Sequence, residues 1–101
     1  MTTADTKYAD AFAHEIADLL AATKPAGAQV ESYYDAEGQC PAVRVLIDRT
    51  RYELLMPAPG AIFALFRGGR WLGGIGLRLG QAEPREVADA LLRRIDESHG
   101  R

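Results

Sequence analysis

Glycines and arginines that could hold a phosphate group are concentrated in the stretch FRGGRWLGGIGLRLG, residues 66–80. Glycine-rich loops bind phosphates when they connect a parallel strand to a helix, and arginine donates hydrogen bonds to phosphate oxygens. The glycines at positions 74, 76 and 80 are spaced one residue too widely for the dinucleotide motif G-x-G-x-x-G. Gly68-Gly69 instead predicts a two-residue hairpin turn, because glycine adopts the positive φ angles that such turns need.

Side chains typical of catalytic and metal sites are few in this chain. They comprise two histidines, two serines and one cysteine: His14, His99, Ser32, Ser98 and Cys40. Neither serine lies in a nucleophile elbow, and neither histidine has a Cys, Asp or Glu partner at metal-ligand spacing. Tyr33, Tyr34 and Asp35 could take part in acid–base chemistry, but aromatic residues in strands usually serve packing. We therefore expect no catalytic residue, no metal site, no cofactor and no enzymatic activity.

The composition is that of an ordinary globular domain. Hydrophobic residues make up 48% and charged residues 26% of the 101 residues, so we expect a single domain over residues 1–101. The net charge of −2 predicts no general attraction to nucleic acids or membranes. The sequence has no signal-peptide pattern, and no apolar run reaches the roughly 20 residues of a membrane span. Together with the single cysteine, these features predict a cytoplasmic protein without a membrane partner.

Two segments have the periodicity of amphipathic helices. The first is predicted from about Thr6 to Ala22, because its apolar residues recur every three or four positions. These apolar residues are Tyr8, Phe12, Ile16, Leu19 and Leu20. The second helix is predicted from Pro84 to about Glu97, since proline suits the first helical position.

Five strands are predicted between the helices, at residues 29–34, 42–47, 52–56, 61–66 and 70–79. Their short connecting turns allow only antiparallel neighbours. The predicted fold class is therefore α+β: a five-stranded antiparallel meander flanked by N- and C-terminal helices, in the order αβββββα. This order resembles that of small secretion-chaperone-like domains in architecture only, and no residues carry over from them.

Alternate turns of a meander lie at the same end of the sheet, which places two arginine-containing turns together. These turns are at residues 48–51 and 67–70, and the linker after the first helix reaches the same end. The predicted anion-binding pole comprises Lys24, Arg49, Arg51, Arg67 and Arg70. We interpret this pole either as ordinary hydrated turns or as a site for an anion or a nucleic acid.

Alternation along the strands divides their side chains between two faces of the sheet. The predicted core face carries Val43, Val45, Ile47, Tyr52, Leu54, Met56, Ile62, Phe66, Trp71, Ile75 and Leu77. The opposite face carries five large apolar residues that form a candidate protein interface: Leu46, Leu55, Phe63, Leu65 and Leu72. The expected cross-strand pairs of the last hairpin are Phe66–Trp71, Leu65–Leu72 and Phe63–Gly74. Because five large apolar groups exceed what a hydrated face carries, either one helix or a second chain is expected to cover them.

The leading hypothesis is a non-enzymatic protein-binding module that acts as an adaptor, a chaperone or an inhibitor. Its partner is another protein or a second copy of itself, bound through the candidate interface. The alternative is an anion- or nucleic-acid-binding module that uses the arginine-rich end of the sheet. A third hypothesis is an enzyme or a small-ligand binder with a pocket between the sheet and the helices.

Overall fold

The computed structural model describes residues 3–23, 27–56 and 60–99. The helices are α1 (Thr3–Thr23) and α2 (Pro84–His99), and the strands are β1 (Gln29–Asp35), β2 (Cys40–Ile47), β3 (Thr50–Leu55), β4 (Ile62–Arg67) and β5 (Arg70–Arg78). This is the order αβββββα that the sequence predicts. Neither helix, within the described ranges, is long and apolar enough to cross a membrane.

The strands form a sheet in the order β1-β2-β3-β4-β5, and every neighbouring pair is antiparallel. This arrangement confirms the predicted meander. Short turns explain it, because a strand that follows such a turn reaches only the position beside its predecessor. The edge strands of this sheet are therefore β1 and β5.

Both helices pack against the same face of the sheet. Helix α1 contacts β1 and β2, α2 contacts β5, and the two helices contact each other. The core lies between these two layers, and its fully or almost fully buried members include Ile16, Leu20, Tyr52, Leu54, Val87 and Leu91. Neither helix is left to cover the opposite face of the sheet, which we call the open face.

The turn between β2 and β3 is shorter than the predicted turn at residues 48–51. Only Asp48 and Arg49 form it, with φ angles of 47° and 68°. Positive φ at both central residues is the geometry of a two-residue hairpin turn. The shorter turn extends both strands and sets Arg44 of β2 opposite Glu53 of β3.

Strand β4 faces the opposite way from the prediction. Phe63 and Leu65 are fully buried in the core beneath the helices, whereas Ile62 is 46% exposed and Phe66 is partly exposed. The reason is register, because Leu65 pairs with Leu54 of β3, whose side chain belongs to the core. Both faces of β4 carry apolar residues, so alternation within the strand does not distinguish them.

Strand β5 has an irregularity close to the hairpin tip. Phe66 pairs with Trp71 as predicted, but Leu65 pairs with Gly73 rather than with Leu72. Leu72 is therefore an extra residue, as in a β-bulge, and it packs against the core. Beyond the bulge, alternate residues exchange faces, so Trp71 lies on the open face and is 66% exposed. The prediction that Trp71 belongs to the core is wrong for this reason, and the same prediction for Phe66 is wrong because of the pairing of β4 with β3.

Gly74 of β5 lies under a side chain from β4, as expected, but the residue that covers it is Ile62. Gly74 pairs with Ala64, and a Cβ placed on Gly74 would collide with Cγ2 of Ile62. The predicted pairing of Gly74 with Phe63 is wrong because the extra residue at Leu72 shifts the register of the two strands by one residue. Glycine here permits the close approach of the two strands.

Candidate functional site

The open face is formed by alternate residues of all five strands. A central row of directly opposed residues crosses the whole sheet: Glu31, Arg44, Glu53, Phe66 and Trp71. Beside this row lie Tyr33, Leu46, Arg51, Leu55, Ile62 and Arg78. The β1–β3 part of the row is charged and the β4–β5 part is aromatic.

Glu53 is the centre of a polar network on the open face. The hydroxyl of Tyr33 donates a hydrogen bond to Glu53 Oε2 at 2.5 Å, and Arg51 Nε lies 2.9 Å from Glu53 Oε1. Arg44 Nη2 lies 3.4 Å from Oε2, while its Nη1 donates to Glu31 Oε1 at 2.6 Å. The guanidinium carbon of Arg44 also lies 4.1 Å from the centre of the Tyr33 ring. Three side chains hold the carboxylate, and the Glu53 side chain is only 12% exposed.

The network shifts the pKa values of two of its members in opposite directions. Burial raises the pKa of the Tyr33 phenol, and its hydrogen bond to the Glu53 carboxylate raises it further. Burial would also raise the pKa of Glu53, but the hydrogen bond from Tyr33 and the charges of Arg51 and Arg44 outweigh it and lower the pKa. Tyr33 therefore keeps its proton and Glu53 stays ionised near neutral pH, which suits a fixed ion-pair network better than proton transfer.

Trp71 and Phe66 form an aromatic cross-strand pair beside this network. Trp71 is 66% exposed and Phe66 is partly exposed. Aromatic rings in water are energetically costly unless another group covers them, since each carries a large apolar area. The sequence predicts this pair in the core because a bulge at Leu72 has no clear signal in an apolar, glycine-rich strand.

The five residues of the predicted protein interface are divided between the two sides of the sheet. Leu46 and Leu55 lie on the open face and are partly exposed. Phe63 and Leu65 are fully buried in the core, and Leu72 packs against it. The prediction that these last three residues lie on the face opposite the core is wrong, and the aromatic pair of β4 and β5 takes their place on the open face.

Four arginines lie together at one end of the sheet, where the β2–β3 and β4–β5 turns are neighbours. Arg49, Arg51, Arg67 and Arg70 line an open hollow of about 590 Å³, together with Thr50, Gly68 and Leu72. The backbone amide of Gly68 donates to the Arg51 carbonyl oxygen at 2.7 Å, which joins the β4–β5 turn to the beginning of β3. We call this feature the arginine hollow. Lys24, the fifth member of the predicted pole, lies outside the described residues.

The arginines of the hollow differ in how they are held. Arg67 Nη1 donates to the carbonyl and hydroxyl oxygens of Ser98 at 3.1 and 2.9 Å, and its guanidinium carbon lies 5.8 Å from the centre of the Tyr52 ring. These partners position Arg67 without neutralising its charge. Arg49 and Arg70 are exposed, and neither forms an ion pair with another residue in the described ranges.

The cysteine and the two histidines of the sequence lie on three different elements. Cys40 is buried, and burial raises the pKa of its thiol. His14 is exposed on α1, with Nδ1 2.9 Å from the Asp10 carbonyl oxygen, and His99 is the last residue of α2. No group of three His, Cys, Asp or Glu residues in the described part of the chain is arranged to hold a metal ion.

No protein-family model matches this chain, and neither a curated protein nor a solved structure shows significant similarity to it.

Proposed function

We propose that this chain is a non-enzymatic protein-binding module, an adaptor, chaperone or inhibitor, that binds its partner through the open face. The observation that carries this proposal is that both helices pack on one face while Trp71 remains 66% exposed on the other. Exposed large apolar groups on one contiguous surface are typical of sites that bind proteins. The partner is another protein or a second copy of this chain. The module is expected to act in the cytoplasm, where a lone cysteine stays reduced.

The open face combines residue types that contribute strongly to protein interfaces. Tryptophan, tyrosine and arginine are enriched among residues that dominate binding energy. Trp71 supplies a large exposed ring, and Tyr33 and Arg44 are already held in place by Glu53. Side chains that are ordered before binding lose less conformational entropy when the partner arrives. The Glu53 network thus supports binding by keeping part of the surface rigid.

The dimensions of the sheet limit the strength of this interaction. Five strands spaced about 4.8 Å apart, each about 20 Å long, give a face of roughly 500 Å². Stable complexes of standard size bury about 800 Å² on each partner. The open face alone therefore supports a transient complex, unless the partner also contacts the adjoining turns.

Charge substitutions on the open face test this proposal. Leu46→Glu and Leu55→Glu place a carboxylate among the partly exposed apolar residues, whereas Ala21→Glu adds the same charge at an exposed position of α1. Self-association is measured by sedimentation over a range of concentrations. Other partners are measured by quantitative affinity capture from host extract. We expect both face variants to lose a complex that the wild type and Ala21→Glu retain, with unchanged circular dichroism.

One outcome contradicts the proposal directly. In this outcome the wild type remains a monomer at the highest concentration, and the face variants capture every protein that the wild type captures. The open face would then be a hydrated surface, despite its exposed tryptophan.

A further inference from the structure

We propose that two copies of this chain join through their β1 strands, which pair antiparallel about a two-fold axis at Ser32 and make one continuous sheet. The two edges of the sheet are β1 and β5. Unlike β5, β1 presents a regular row of unpaired backbone groups at its edge. This contact uses the edge of the sheet and is separate from protein binding on the open face.

Strand β5 is a poor template for a further strand. Arg94 donates to the carbonyl oxygens of Leu72 and Gly74 at 3.1 and 2.8 Å, so these acceptors are already covered by α2. Gly73 and Gly76 have φ angles of 108° and 81°, and the backbone is therefore not extended at these positions. Proteins protect sheet edges from other strands by covering groups and irregularities of this kind.

Strand β1 has an accessible edge. Its seven residues pair with β2 in an unbroken register and include no proline, glycine, lysine or arginine. The Met56 amide donates to the Pro41 carbonyl oxygen, so the odd-numbered residues of β2 bond to β3 and the even-numbered ones bond to β1. Their partners in β1 are the odd-numbered residues. The amide and carbonyl groups of Val30, Ser32 and Tyr34 therefore point away from the sheet, and no hydrogen bond in the described ranges uses them.

A second copy of β1 satisfies these groups in one register. Antiparallel pairing about Ser32 sets Val30 opposite the partner's Tyr34 and Ser32 opposite the partner's Ser32. The three outward-facing residues of each copy then form three pairs that exchange two hydrogen bonds each. Outward-facing residues must meet one another, so moving the axis to a neighbouring residue leaves at least one of them without a partner in the strand.

The same register matches the side chains of the two copies. Its remaining cross-strand pairs are Val30–Tyr34, Glu31–Tyr33 and Gln29–Asp35. Pairs of a β-branched and an aromatic residue are favourable, and the pairing covers Tyr34, which is 59% exposed. No carboxylate of β1 lies directly opposite another, and Glu31 is already bound to Arg44 at 2.6 Å. Charge and apolar surface thus both fit a second copy of this strand.

The helix layers of the two copies fit side by side. Helix α1 packs on both β1 and β2, so its axis lies over the space between these strands. With strands about 4.8 Å apart, the two α1 helices lie about 10 Å from each other, the usual distance between packed helices. The axis also keeps both open faces on the same side. They join into one surface of roughly 1,000 Å², more than the 800 Å² or so that stable complexes bury on each partner.

Amide hydrogen exchange, measured by NMR, tests the pairing directly. In a monomer the outward-facing amides of Val30, Ser32 and Tyr34 exchange rapidly, whereas those of Glu31 and Tyr33 are protected by β2. We expect the first three amides to become protected as the protein concentration rises, in step with the appearance of the dimer in sedimentation. A dimer in which these three amides stay unprotected would overturn the proposal.

Ser32→Pro and Ser32→Ala are matched variants of the central pair. Proline removes an amide that points away from the sheet, so the monomer keeps its bonds to β2, while both hydrogen bonds of the central pair are lost. We expect Ser32→Pro to weaken the dimer by on the order of thirtyfold or more, with unchanged circular dichroism. Ser32→Ala keeps the amide and is expected to dimerise as the wild type does.

A charge pair tests the two-fold axis without proline. Ser32→Lys and Ser32→Glu each place like charges opposite one another at the axis, and each is expected to weaken its own dimer by about fivefold. An equimolar mixture sets an ammonium group opposite a carboxylate and is expected to associate at least as strongly as the wild type.

Three further results would overturn the proposal. The first is a wild type that remains a monomer at every concentration. The second is equal dimerisation by folded Ser32→Pro and by Ser32→Ala. The third is a Ser32→Lys and Ser32→Glu mixture that associates no more strongly than either variant alone. Leu55→Glu, which tests the open face, is expected to keep the β1 dimer. Self-association that persists in a Ser32→Pro background belongs to the open face, so failure of one proposal is distinguishable from failure of the other.

Discussion

Replacing Arg94 with alanine should measurably loosen the attachment of α2 to the irregular part of β5. Arg94 Nη1 donates to the Gly74 carbonyl oxygen at 2.8 Å, and Nη2 donates to the Leu72 carbonyl oxygen at 3.1 Å. A hydrogen bond with a charged donor contributes about 1.5–3 kcal/mol. Since β5 is an edge strand, water can replace part of this contribution. We therefore expect Arg94→Ala to reduce the free energy of unfolding by about 2 kcal/mol.

Thermal and urea denaturation, followed by circular dichroism, measure this loss. For a domain of this size, about 2 kcal/mol corresponds to a decrease in Tm of roughly 10 °C. Arg93→Ala is the matched control, because its side chain is exposed on the same helix, and it is expected to change stability by less than about 0.5 kcal/mol. Arg94→Lys should fall between the two, since an ammonium group cannot span both carbonyl oxygens as a guanidinium does. Equal urea midpoints for Arg94→Ala and Arg93→Ala would refute the argument that these bonds hold α2 to β5.

Three further predictions concern the strands. Leu65→Glu should unfold the chain because it buries a charge, whereas Leu55→Glu should fold; a folded Leu65→Glu protein in circular dichroism would contradict the orientation of β4. Gly74→Ala should cost about 1–3 kcal/mol in thermal denaturation and less in an Ile62→Ala background, because the added methyl group collides with Ile62; identical losses in both backgrounds would contradict this. The lowered pKa of Glu53 means that its contribution to stability is present above its unfolded pKa of about 4.3 and is lost as the pH falls through the lower folded value. Urea midpoints of Glu53→Gln should therefore depend less on pH between about pH 5 and 3 than those of the wild type.

The element order was predictable because its signals are local. The apolar periodicity of the first helix and Pro84 at the start of the second are properties of neighbouring residues, and α2 begins at Pro84 as predicted. Gly68 and Gly69 have φ angles of 57° and 85°, the conformation expected of a two-residue hairpin turn. Short turns then determine the meander, and the meander brings the turns of the arginine hollow to one end.

The Glu53 network was not predicted because it depends on the length of one turn. Asp48 and Arg49 form this turn with positive φ angles, although neither is glycine. With this turn, Arg44 lies opposite Glu53; with the predicted turn, two residues longer, it would not. The positive φ angles of Asp48 and Arg49 thus decided that Arg44 and Glu53, several positions away on either side, lie opposite each other.

The sequence by itself determined the helices, the strands and their antiparallel order, because periodicity and turn chemistry act over a few residues. Only the tertiary structure decided which face of the last hairpin is buried. Phe63 and Leu65 alternate with Ile62 and Phe66, so either face of β4 offers apolar side chains to a core, and pairing of Leu65 with Leu54 selects one of them. In β5, one extra residue moves Trp71 from the expected core to the open face. A strand has a side-chain period of two, so a shift of one residue exchanges its faces, and that shift depends on pairing with distant parts of the chain.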